Sequence, residues 1–231
     1  MSMKKFLFLL VAILGVSPVF AQMDGFGPIE KEKKSVFFVG PKVGVTITSM
    51  TQPDECNLYD ATGIGFSGGI AMKARFGRAS ENSLEGTGIV GVGLELKYKQ
   101  SSVKTISEDN LSLGYFEVPV TLQFYPFTKS NVMNNFYIEV GVAGGLLISK
   151  KPDVLTVNSP NANLDYVKYS TGDLKGGDFH PVVGLGYTIP GTGFDINARY
   201  NIGTSKLAEN FPCKMSAIEV SVSWLFKAAK F

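Results

Sequence analysis

The chain has 231 residues, 18% of them charged and 12% aromatic, with 26 glycines, two cysteines and one histidine. That composition excludes a disordered chain, a coiled coil, a disulfide-dense scaffold and a multi-cysteine or histidine-rich metal site, and it calls for no cofactor. Lys4 and Lys5 leave with the leader described next, so the 22 basic residues fall to 20 against 20 acidic ones, and a neutral chain has no field to attract nucleic acid.

Residues 1–21 read as a secretory signal peptide. Met1 to Lys5 is short and basic, Phe6 to Val16 is apolar, and Val19-Phe20-Ala21 precedes a cut before Gln22. The apolar run is too short for a bilayer, which needs about 20 residues. No cysteine follows the cut, so no lipid attachment is expected. Residues 22–35 read as a polar periplasmic lead-in. No later apolar run approaches a spanning length, so the mature chain is either soluble outside the cytoplasm or crosses a membrane with strands.

The two-residue period dominates the rest, and it predicts strands over 36–49, 64–77, 87–100, 112–127, 135–150, 178–189, 193–202 and 215–226. In the third, Val90, Val92, Leu94, Leu96 and Tyr98 alternate with Gly91, Gly93, Glu95, Lys97 and Lys99. In the fifth, Phe136, Ile138, Val140 and Val142 alternate with Tyr137, Glu139, Gly141 and Ala143. The first and sixth are less clean. Alternation defines two faces but not which one is inside. A soluble barrel buries the apolar face, and a membrane barrel turns it to lipid. Glycine on the polar face, aromatics near the ends of the apolar stripes, and strands of spanning length favour the membrane.

The predicted fold is therefore an all-β, eight-stranded antiparallel up-and-down transmembrane β-barrel over 36–226, with 227–231 as a C-terminal tail. An even strand count lets the sheet close without an edge, as lipid requires. With both termini periplasmic, links 50–63, 101–111, 151–177 and 203–214 lie outside the cell, and 78–86, 128–134 and 190–192 lie in the periplasm. Pro190-Gly191-Thr192-Gly193 reads as a tight turn.

The polar face carries Lys42, Lys73, Arg75, Lys97, Lys99 and Arg199, and also Glu95, Glu117, Glu139, Asp195 and Glu219. An eight-stranded barrel is only wide enough for its own side chains, so these groups must pair. The expectation is an internal salt-bridge network; a charged conduit is the alternative. Cys56 and Cys213 fall in the first and last outer links, which adjoin once the barrel closes, and a disulfide is expected. His180 reads as a rim histidine. A lipid-cleaving site would need a serine beside it, and neither Ser67 nor Ser112 can be placed there. Asp153, Asp165, Asp173 and Asp178 match no calcium-loop spacing and read as solvated charges. Pro41, Pro119 and Pro181 each remove a ladder donor, and each is expected at a bulge or a polar-face rescue.

Tyr115-Phe116-Glu117-Val118-Pro119-Val120, followed by Gln123-Phe124-Tyr125-Pro126 and Phe136-Tyr137-Ile138-Glu139-Val140-Gly141, resembles the Tyr-Leu-Glu-Ile-Pro-Leu signature of the PorT-like outer-membrane β-barrel family of Bacteroidetes, with Tyr115, Glu117 and Pro119 as the signature positions. Gly40-Pro41-Lys42-Val43-Gly44 is similar to that family's opening strand. The resemblance implies an eight-stranded outer-membrane barrel. The family's namesake is linked to protein export through the type IX secretion system, which makes envelope or secretion-system proteins candidate partners beside outer-membrane lipid. The expected function is a non-enzymatic barrel that displays its outer loops; the alternatives are a narrow pore or solute-binding barrel, and a lipid-modifying enzyme resting on His180. Whether Phe226 or Phe231 is the assembly signal stays open.

Overall fold

The structure is a computed structural model and describes residues 35–51, 59–76, 88–105, 110–128, 130, 132–158, 166–208 and 213–230. The leader, most of the lead-in and Cys56 lie outside these residues. The strands are β1 (Val36–Thr51), β2 (Tyr59–Phe76), β3 (Val90–Thr105), β4 (Asn110–Phe124), β5 (Phe136–Lys151), β6 (Val154–Asn158), β7 (Tyr166–Ser170), β8 (Gly177–Thr188), β9 (Phe194–Asn201), β10 (Lys214–Trp224) and β11 (Phe226–Lys230). The large sheet runs β10-β9-β8-β5-β4-β3-β2-β1-β11, with β10 also paired to β1. Every pairing is antiparallel, and β10 and β11 are two parts of one last strand along β1, so the sheet is a closed eight-stranded barrel. β6 and β7 form a separate hairpin within the longest link, which therefore carries secondary structure of its own.

Strand alternation sets the two faces. Val43, Val45 and Ile47 point outward, while Lys42, Thr46 and Thr48 are buried inside. The same holds for Ile138, Val140 and Val142 against Tyr137, Glu139 and Ala143. The apolar side is the outer one, as in a barrel that faces lipid.

The arrangement inverts at the end of the barrel away from the termini. Above Tyr98 and Phe116, which pair across β3 and β4, the outward residues become Gln100, Ser102 and Ser112 and the inward ones Val103, Leu111 and Leu113. Gln100 Nε2 donates to Ser112 Oγ at 2.8 Å, and Ser102 Oγ to Ser112 Oγ at 3.1 Å. Residues 101–111, read from sequence as a link, are thus mostly strand, with the polarity of their faces reversed. The reversal is what water requires where lipid ends. It also hid these residues from a search for one continuous apolar stripe.

The prolines break ladders without shifting register. Pro119 faces β3, and the β3–β4 ladder lapses between Leu94–Val120 and Lys97–Glu117 while the β4–β5 ladder continues through Pro119–Ala143. Pro41 pairs with Ile70 of β2, but β1 loses its contact with the last strand between Val39–Phe226 and Lys42–Ser223. That gap splits β10 from β11. Gly40 fits there because a Cβ would sit 1.8 Å from the Trp224 carbonyl oxygen. At Pro181 the β8–β9 ladder simply ends, with Ile202 N donating to its carbonyl at 2.9 Å. Of the two expected arrangements, a bulge or a polar-face rescue, the bulge is absent at all three, because a missing N–H deprives only the neighbour it faces. The last strand also runs on past Phe226: Lys227 and Ala229 pair with Phe38 and Phe37, so the segment read as a tail is ladder to Lys230. The turn at 190–193 is tight, as expected, with Gly191 and Gly193 at φ +75° and +77° and Ile189 N donating to Phe194 O at 2.7 Å.

Candidate functional site

The interior is layered. At the terminus end, Arg75 reaches across the mouth: Nε donates to Gly88 O at 2.8 Å, one terminal nitrogen to Asn135 Oδ1 at 2.9 Å and the other to Asn134 O at 2.9 Å. Its guanidinium lies over the Tyr125 ring at 3.9 Å. The next layer joins Lys73, Tyr137 and Asp195. Lys73 Nζ donates to Asp195 Oδ1 and to Tyr137 Oη, both at 2.7 Å, and Tyr137 Oη donates to Asp195 Oδ2 at 3.1 Å. Tyr137 fits because β8 offers Gly186 opposite; a Cβ there would meet its hydroxyl at 2.2 Å.

The central layer centres on Arg199, which grips both oxygens of Glu95 at 2.9 and 3.2 Å and donates through Nε to Glu139 Oε1 at 2.8 Å. A forked guanidinium–carboxylate pair fixes direction as well as distance. Lys42 donates to Glu95 at 2.8 Å, and Lys97 to Glu219 at 2.6 Å. Uncharged groups take the remaining lone pairs: Ser67 donates to Glu219 at 2.7 Å, and Asn197 to Glu139 at 2.9 Å. The top layer holds Lys99, 2.9 Å from Glu117 Oε2.

The structure therefore gathers all eleven charged positions expected from sequence inside the lumen, and each is buried. It adds two that were read otherwise. His180 is buried rather than at a rim, with Nδ1 2.9 Å from Asp178 Oδ2 and Nε2 3.9 Å from Glu117 Oε1. Asp178 is thus a lumen carboxylate and not a loop charge. Both continue the inward parity of Gly184 and Gly186 along β8, but His180-Pro181-Val182-Val183 masks the alternation. Ser67 and Ser112 bond to Glu219 and Gln100, so neither serves His180. Among the described residues, no group of three or more histidines, cysteines or carboxylates could hold a metal ion. The signature positions Tyr115, Glu117 and Pro119 all point inward.

Above the charges lies an apolar cap. Met50, Val103, Leu111, Leu113, Tyr115, Leu207, Ala208 and Cys213 form one buried cluster, with Leu147, Leu174 and Met215 against it. Residues 202–208 bring Leu207 and Ala208 over the mouth. Ser205 Oγ donates to Phe179 O at 2.9 Å, Lys175 N to Leu207 O at 2.8 Å, and Leu207 N to Cys213 O at 3.0 Å. Between cap and charges a cavity of about 20 Å³ is lined by Thr48, Lys99, His180 and Asn201, room for about one water. β1 and β10 are neighbours up to Thr51–Lys214, so the links carrying Cys56 and Cys213 do leave adjacent strand ends. Cys56 itself lies outside the described residues.

The model of the outer membrane protein beta-barrel domain family matches residues 20–209. Several solved structures are similar. The attachment invasion locus protein Ail of Yersinia pestis shares 16% identity over 85% of this chain and 100% of its own, with a TM-score of 0.42. Neisserial surface protein A shares 13% over 84% and 100%, with a TM-score of 0.42. OprG of Pseudomonas aeruginosa shares 11% over 84% and 98%, with a TM-score of 0.43. A comparison with curated proteins found no match.

Proposed function

The chain belongs to the outer membrane protein beta-barrel domain family, and from that premise we propose that it is a non-enzymatic barrel with a sealed lumen whose outer links are read by a protein partner. The observation that carries this reading is the double closure. A permeating solute would have to break the buried ion pairs and then the apolar cap, and the space between them holds about one water. An interior whose charges are bound to one another leaves room for little more than a water, so the links beyond the cap are the surface for recognition. Among the described residues of those links, the β6–β7 hairpin is the largest element of secondary structure.

The resemblance carried by Tyr115, Glu117 and Pro119 directs the search for that partner to envelope and secretion-system proteins. The leader at 1–21 supports export to the periplasm before insertion. The experiment is crosslinking in native outer membrane with capture through a tag after Gln22, comparing the intact chain with one lacking Val154–Ser170. The intact chain is expected to retain an envelope partner that the shortened, still folded barrel loses. An identical set of captured proteins from both would overturn the reading. Discrete conductance steps of the purified barrel in a planar bilayer would overturn the sealed lumen.

A further inference from the structure

The link between β4 and β5 carries large apolar side chains among its polar ones. It leaves Phe127, Val132 and Met133 exposed at 47%, 67% and 41%, an unusual load for a short hairpin connection. Asn134 turns its carbonyl to Arg75 at the lumen mouth, while Phe127 and Val132 lie against the outer wall. Phe127 packs on Phe136 with ring centroids 5.8 Å apart, and the Val132 carbonyl accepts from Tyr187 Oη at 2.8 Å. Phe136 and Tyr187 are a cross-strand pair on β5 and β8, on the face that carries Ile138 and Leu185 outward. The link is thus folded back against the outer wall, where aromatic residues ring the terminus end: Phe124 on β4, and Trp224 between Phe194 and Phe226.

Its backbone is suited to that place. Ser130 N donates to Phe127 O at 2.9 Å, Met133 N to Ser130 Oγ at 3.0 Å, and Phe136 N to Met133 O at 3.0 Å. Polar backbone groups entering the edge of a bilayer must be satisfied internally, and these are. We propose that the β4–β5 link is an interfacial anchor that inserts Phe127, Val132 and Met133 into the leaflet at the terminus end, at the boundary between headgroups and acyl chains. The occupant is lipid because Phe127 and Val132 are joined to the lipid-facing wall through Phe136 and Tyr187. The anchor holds the barrel's depth at that end, independently of what reads the loops at the other.

The protein has one tryptophan, Trp224, so Trp224→Phe clears the signal for a probe. Val132→Trp and, separately, Phe127→Trp in that background are refolded into phosphatidylcholine vesicles, with heat-shifted gel mobility as the check on folding. Emission blue-shifted from that of tryptophan in water is expected. It should be largely lost when lipids brominated near the headgroup end of the chain are used, and little changed by aqueous iodide. Emission at the water position with full iodide quenching at both sites would overturn the proposal. So would a probe that is water-exposed in pure lipid yet shielded in native membrane, which would assign the patch to a protein instead.

Discussion

Lys97 Nζ lies 2.6 Å from Glu219 Oε2, joining β3 to β10 although β2 and β1 stand between them in the sheet. The pair is a strut across the lumen. Both side chains are buried, and Lys97 also stands 3.6 Å from Glu95 and from Glu117. Removing Lys97 strands the Glu219 carboxylate, left with Ser67, in a dry interior at a cost of about 3–5 kcal/mol, whereas removing Glu219 leaves Lys97 beside two other glutamates. Lys97→Met should therefore lower stability more than the double variant Lys97→Met, Glu219→Gln. Urea unfolding in vesicles, followed by gel mobility, measures both; a double variant weaker than Lys97→Met alone would refute the strut.

Tyr137 depends on a glycine across the ladder. Gly186→Ala places a Cβ where the Tyr137 hydroxyl now sits, and that hydroxyl is held by Lys73 and Asp195. Overpacking of this kind costs about 1–3 kcal/mol. Tyr137→Phe in the same background should recover little of the loss, because the ring carbon Cζ would still stand 2.3 Å from the new Cβ. The readout is again the unfolding midpoint.

The reversal of face polarity marks the outer boundary of lipid. Arginine at Val43, 65% exposed in the middle of the apolar stripe of β1, should cost about 2–4 kcal/mol. Arginine at Ser102, outward but above Tyr98, should cost about 0–1 kcal/mol. Equal penalties would mean that the boundary is misplaced. Leu113→Ala should cost about 2–5 kcal/mol at the same height as Ser102, because Leu113 faces the cap and not solvent.

Cys56 and Cys213 are expected to be joined. The β1–β10 pairing brings their two links to adjacent strand ends, and the compartment is oxidising. Intact mass of the native, unreduced protein should be short by two hydrogens, and the pair should resist alkylation until reduced. Two alkylated cysteines in the folded, unreduced protein would exclude the bond.

Much of this was legible from residue order because a strand has a period of two. Val90 to Lys99 displays an apolar and a charged face whatever surrounds it, and eight such runs with no long apolar helix leave a lipid-facing barrel as the consistent reading. The same parity places Lys42, Glu95, Glu117, Glu139 and Arg199 together inside. It fails where neighbours on both faces are alike, as around His180 and Pro181. It also misleads where the solvent outside changes, as between Ser101 and Leu111, since the pattern then reverses rather than stops. Which charges meet could only come from tertiary structure. Lys97 has three glutamates within 3.6 Å, from β3, β4 and β10, and the choice of Glu219 follows from how far each strand is staggered against the next around the whole closed sheet. The apolar cap is equally non-local, because Leu207 and Cys213 are recruited from beyond β9 to cover residues of β3 and β4. Local period determines the face a residue takes; closure of the barrel determines its partner.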